Sequence, residues 1–156
     1  MRKNKAFTLV EILIVVIILG ILAAIVIPQF TEASNDARES ALASDLQTAR
    51  SQLELYKVQH LEKYPSLSEA VTPTLDTTNF IARMTGKTDQ DGKLDAAGAF
   101  GPYLQKFPTN PFVSSGGNLV DFGTAEPAPG TGNGWYFNTS TGKFSANDST
   151  TGHTGL

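Results

Sequence analysis

Between Phe7 and Ile27 the chain runs for 21 residues in which only Thr8, Glu11 and Gly20 are not clearly apolar. At about 1.5 Å per residue, a helix of that length spans roughly 30 Å, the thickness of a bilayer core. The pattern then changes. From Gln29 to Lys63 there is no Gly or Pro, strong helix formers dominate, and Leu42, Leu46, Ala49, Leu53 and Tyr56 recur at spacings of 4, 3, 4 and 3. That spacing puts them on one stripe of a helix, with Glu39, Asp45, Arg50, Gln52 and Lys57 opposite. Pro65 provides a stop, because the residue before proline is driven out of the helical region. One helix is therefore expected from Phe7 to about Lys63, roughly 85 Å long. Its first half is apolar nearly all round and its second half is amphipathic. Gly20 and Pro28 are its weak points, a hinge where the helix should bend or locally melt, since glycine is a poor helix former and proline lacks a backbone donor.

Beyond Pro65 the segments shorten. Leu67, Ala70 and Val71 predict a short helical piece capped by Ser66 or Ser68. Asn79–Met84 is a second short apolar segment, helix or strand, and Thr88-Asp89-Gln90-Asp91-Gly92 is a turn. Ten of the 14 glycines lie from Gly101 onward, so turns should dominate there. Leu119–Phe122, Gly134–Asn138 and Lys143–Ala146 predict three short strands, the last two joined through Thr139–Gly142. Trp135, Phe137 and Phe144 form the expected aromatic core, covered by the Leu42–Tyr56 stripe. His60 reads as a boundary residue, while Asn147–Leu156, with His153, reads as a frayed polar tail. The expected fold class is α+β: a long N-terminal helix packed on a small C-terminal antiparallel sheet. The organisation is a basic leader (1–6), a membrane-spanning helix (7–28), an amphipathic helix (29–64) and a globular head (65–156).

Charge adds a question to this outline. Glu11 sits inside the apolar span, where an acid near the helix centre costs about 2.5–3.5 kcal/mol on insertion scales, so it needs a partner. Cutting the chain before Phe7 would create an amine four residues upstream. Arg2, Lys3 and Lys5 precede the span, which keeps the leader cytoplasmic and sends the rest outward. An ordinary signal peptide cleaved near Ala23 and Ala24 has an apolar region of only about 7–15 residues and gives Glu11 no purpose. A plain anchor likewise leaves Glu11 incidental.

The remaining chemistry is sparse. The net charge is −3, and loss of the leader removes three further positive charges, so nucleic acid is not an expected partner. There is no cysteine, which excludes thiol chemistry and cysteine-based zinc sites. No catalytic grouping around His60 or His153 and no phosphate-binding loop is visible, so an enzyme is not expected. Asp89, Asp91 and Asp95 around Gly92 partly imitate a calcium loop, but Lys87 and Gly98 occupy the first and last ligand positions.

Ala6-Phe7-Thr8-Leu9-Val10-Glu11, followed by about sixteen apolar residues and Pro28, resembles the processing motif of type IV pilins and type II secretion pseudopilins. Residue 6 is Ala where the family usually has Gly. Further on, KFPTNPF and GWYFNTSTGKF resemble the C-terminal parts of major pseudopilins. The resemblance implies cleavage between Ala6 and Phe7 by a prepilin peptidase, N-methylation of Phe7, and an assembly role for Glu11 supported by Thr8. It implies a single-pass inner-membrane protein with a periplasmic head, stored until it joins a helical homo-oligomeric filament, with an inner-membrane assembly platform as partner and a cytoplasmic ATPase acting indirectly. The closest reading is a major pseudopilin of type II secretion, the alternative a major pilin of a type IV pilus serving adhesion, motility or DNA uptake. Major pseudopilins typically bind calcium in a C-terminal loop with acidic side chains. Here the last third offers only Asp121, Glu126 and Asp148, so calcium is the one cofactor the resemblance implies, with fewer acidic ligands than the family pattern.

Overall fold

A computed structural model describes residues 8–67, 75–127, 132–150 and 153. The expected helical piece at Ala70 and Val71 lies outside them; of its neighbours, Leu67 forms an isolated antiparallel bridge with Leu75. The chain divides into two compact units, Met1–Glu39 and Ser40–Leu156.

The first helix, α1, runs Leu9–Gln59, with Gly20 and Pro28 inside it and no break at either. In the first unit its apolar side chains are exposed, from Leu9 through Ile27 to Phe30. One stretch of α1, with mean hydropathy 3.3, is long and apolar enough to cross a membrane. In the second unit the five residues of the 4-3-4-3 stripe are the buried residues of α1. The helix stops at Gln59, before Lys63, because Leu61 and Glu62 adopt left-handed backbone with φ of 56° and 63°. The Glu62 N–H then donates to the Lys57 carbonyl at 3.0 Å, a helix-end closure that precedes Pro65.

The segment expected as helix or strand is a helix, α2, Phe80–Thr85. Three strands follow, β1 (Val120–Gly123), β2 (Trp135–Asn138) and β3 (Phe144–Ala146), in the order β1-β2-β3. β2 and β3 pair antiparallel, joined by a turn in which Gly142 takes φ +76°. β1 pairs with β2 in parallel, Val120 opposite Trp135 and Phe122 opposite Phe137. The sheet is therefore mixed, a correction to the antiparallel expectation. The connection over 124–134 is long enough to return the chain to the start of β1, whereas a hairpin loop would have forced antiparallel pairing.

Alternation places Val120, Phe122, Trp135, Phe137, Phe144 and Ala146 on one face. Of these all but the partly buried Phe122 are buried, in one cluster with the α1 stripe, Phe80, Met84, Tyr103 and Phe107. Trp135 stacks on Phe144 with ring centres 5.4 Å apart, and its indole N–H donates to the Pro108 carbonyl at 2.9 Å. Arg50 Nε donates to the Phe144 carbonyl at 2.9 Å, fastening α1 to β3.

Two expectations about histidine fail here. His60 is fully buried rather than at a boundary. It stacks on Tyr56 at 3.9 Å, with Nδ1 2.8 Å from the Tyr56 carbonyl and Nε2 2.9 Å from Thr88 Oγ1. The C-terminal tail is not frayed where it is described: Asn147, Asp148 and His153 are buried, and His153 packs on Phe112 at 4.6 Å. Polar composition predicted solvent exposure, but His153 pairs with Asp148, and Asn147 donates to Asp121 and to the Gly134 carbonyl.

Candidate functional site

Thr8 and Glu11 form a reciprocal cap at the start of α1. The Thr8 N–H and hydroxyl both donate to Glu11 Oε2 at 2.8 Å, and the Glu11 N–H reaches Thr8 Oγ1 at 3.3 Å. A threonine followed three residues later by glutamate satisfies helix N–H groups that have no intrahelical partner. The Thr-x-x-Glu spacing was a legible signal for this cap, although sequence reasoning had given the pair a role only in assembly. The cap turns the Glu11 carboxylate back towards the start of the helix. Phe7, Ala6 and the bond between them fall outside the described residues.

Gly20 has nothing within 4 Å of where a side chain would project. Near Pro28, Thr31 Oγ1 donates to the Ile27 carbonyl at 3.1 Å, adding a bond next to the position where proline contributes no donor.

The carboxylates proposed for calcium serve turns. Asp89 Oδ1 accepts the Asp91 and Lys93 N–H groups at 3.0 and 2.9 Å, and Asp95 Oδ1 accepts the Ala97 N–H at 2.9 Å. Gly92 takes φ +86°, a conformation glycine adopts at little cost. Asp91 lies 4.0 Å from Lys63 Nζ. Towards the C-terminus, Glu126 pairs with Lys143 at 3.3 Å on the surface. Asp121 and Asp148 are each surrounded by N–H donors. Asn133 N, Asn133 Nδ2 and Asn147 Nδ2 donate to Asp121 at 2.8, 2.7 and 2.9 Å. Asn110 Nδ2 and Thr150 N donate to Asp148 at 2.9 Å, and His153 Nδ1 lies 2.9 Å from Asp148 Oδ1. Burial would raise the Asp148 carboxyl, but the bonds from Asn110, Thr150 and His153 outweigh it and hold it below its ordinary value. Calcium takes about 6–8 oxygen ligands, and a carboxylate already ringed by N–H groups does not fit it. Among the described residues no three His, Asp or Glu side chains come together as a metal site.

Sequence reasoning missed Arg83. Its side chain is wholly buried in α2, bonded to the Pro65 and Gly92 carbonyls and to Asp76. Its neighbours in sequence are apolar, so local pattern gave no sign of these partners.

Comparison with known proteins bears on the N-terminal motif and on more than two thirds of the chain. Residues 1–27 match the family model of the prokaryotic N-terminal methylation motif. The chain is 32% identical over 111 residues to the type II secretion system core protein G of Pseudomonas aeruginosa, covering 71% of this chain and 70% of that protein. It is 30% identical over 112 residues to the protein of the same name from Vibrio cholerae, covering 72% and 68%. A third, from Dickeya chrysanthemi, is 34% identical over 70 residues, 45% of each chain. No solved structure matches. With the methylation motif at its start and this likeness over more than two thirds of its length, the chain belongs to the family of type II secretion system core protein G.

Proposed function

We propose that this chain is a major pseudopilin, a structural subunit of the helical pseudopilus that drives type II protein secretion, and that it performs no catalysis. The observation that carries this reading is Glu11, a carboxylate held at the N-terminal turn of an exposed apolar helix and lying within the matched methylation motif. In this reading a prepilin peptidase cuts between Ala6 and Phe7 and the new Phe7 amine is methylated. Before assembly the chain spans the inner membrane once through residues 7–27, with its leader cytoplasmic and its head periplasmic. It then leaves the bilayer through an inner-membrane assembly platform, powered indirectly by a cytoplasmic ATPase.

Within the filament the apolar half of α1 exchanges lipid for the same segment of other copies. Glu11 then pairs with the Phe7 amine of a neighbouring subunit, and Thr8 holds the carboxylate in place. A misregistered subunit would leave both charges unmatched in an apolar core, so the pair fixes the axial offset between subunits. Gly20 and Pro28 supply the freedom to bend as the helix changes surroundings.

Mass spectrometry of the mature N-terminus tests the reading. The expected product begins at methylated Phe7. A product beginning after Ala24 would identify an ordinary signal peptide and remove the filament's N-terminal chemistry.

A further inference from the structure

Calcium is the ion that family resemblance implies for the C-terminal loop, yet here N–H groups occupy the place of a cation. The sheet explains how they meet. Asp121 on β1 and Asn147, one residue past β3, both lie on the face opposite the aromatic core. The Asn147 N–H is fixed to the Gly134 carbonyl at 3.0 Å, which brings its side chain across the end of β2. Asn147 Nδ2 and Asn133 Nδ2 then reach Asp121 from two sides, and the Asn133 backbone N–H from a third. Gly132 lies close against the carboxylate as well, since a Cβ there would strike Asp121 Oδ2.

We propose that this head compensates its two C-terminal aspartates with N–H donors in place of calcium, Asn133 and Asn147 serving Asp121 while Asn110, Thr150 and His153 serve Asp148. A cation seated on Asp121 would face three N–H groups. To admit it, both side-chain amides would have to turn their oxygens inward and the Asn133 backbone would have to rotate away. Asn147 Oδ1 is the oxygen best placed to join such a site, being buried with no hydrogen-bond partner. It is neutral and stands at the far end of an amide whose nitrogen is bound to Asp121. The shallow hollow bordering Asn147 is lined by Phe112, Val113, Ser114, Gly132, Asp148 and Ser149, and Asp148 is already saturated with donors.

The test uses the full chain in detergent micelles, stripped with EDTA and titrated with calcium chloride. Calorimetry should show no saturable heat, and the head should melt at the same temperature in EDTA and in millimolar calcium. Asp121→Asn should lower that temperature equally in both. Asn133→Asp combined with Asn147→Asp replaces two donors with carboxylates. This double variant should melt lower than the wild type in EDTA and recover when calcium is added. Saturable calcium binding by the wild-type chain, or a melting temperature raised by calcium, would overturn the proposal, whether or not the double variant folds. Loss of that response in Asp121→Asn would assign the ion to this loop. Neither result touches cleavage at Phe7, so failure here leaves the secretion reading standing.

Discussion

Arg83 Nη2 lies 2.8 Å from Asp76 Oδ2, with the arginine side chain fully buried. Its Nη1 and Nε donate to the Pro65 and Gly92 carbonyls at 2.8 and 3.0 Å. One planar fork thus ties α2 to the segment after α1 and to the turn that ends at Gly92. Arg83→Met should cost about 1–3 kcal/mol, the usual consequence of leaving buried acceptors, here the Pro65 and Gly92 carbonyls, without their donor, while the partly exposed Asp76 can be solvated. Arg83→Lys should recover only part of it, because an ammonium cannot reproduce the fork. Urea unfolding of the head measures both.

The α1 stripe should be equally indispensable. Leu46 and Leu53 are 1% and 3% exposed within the cluster that holds Trp135, Phe137 and Phe144. Truncating either to alanine should cost about 2–5 kcal/mol, much of a small domain's stability. A chain shortened to begin near Thr31 should therefore melt well below wild type when it carries Leu46→Ala or Leu53→Ala. One shortened to begin after Pro65 should not fold cooperatively.

Acid should weaken the head from two places. Burial would raise Asp76, but bonds from Asn79 and Arg83 and the arginine's charge hold it below its ordinary value of 3.8; Asp148 is lowered from the same value. A carboxyl lowered by folding contributes stability that is complete above its unfolded pKa and is lost as pH falls through its folded one. The melting temperature should thus drop below about pH 4, where the unfolded chain takes up protons first. Asp148→Asn should start less stable and fall less steeply over that range.

What the sequence made legible follows from the range of each interaction. The Leu42–Tyr56 stripe, the three strands and the Trp135–Phe137–Phe144 core were readable because period and aromatic content are local signals. The parallel pairing of β1 with β2 was not, since it depends on where a long connection returns. Arg83, His60 and His153 were misread or missed because their partners (Pro65, Thr88, Phe112) are set by tertiary structure. At the N-terminal site the Thr8–Glu11 cap was readable from spacing alone, while the pairing of Glu11 with an amine rests on family likeness.

Glu11 carries the central claim. Glu11→Leu removes the carboxylate while preserving an apolar helix, so the variant should still insert and be cleaved. Without the carboxylate it should not take its place among neighbours, given that losing one member of a buried pair costs about 3–5 kcal/mol. The decisive measurement co-expresses tagged Glu11→Leu with the untagged wild-type chain and quantifies the tag separately in membranes and in sheared filaments. Normal membrane levels are expected, with the variant largely absent from filaments. Incorporation at the wild-type ratio would contradict the assembly role of Glu11.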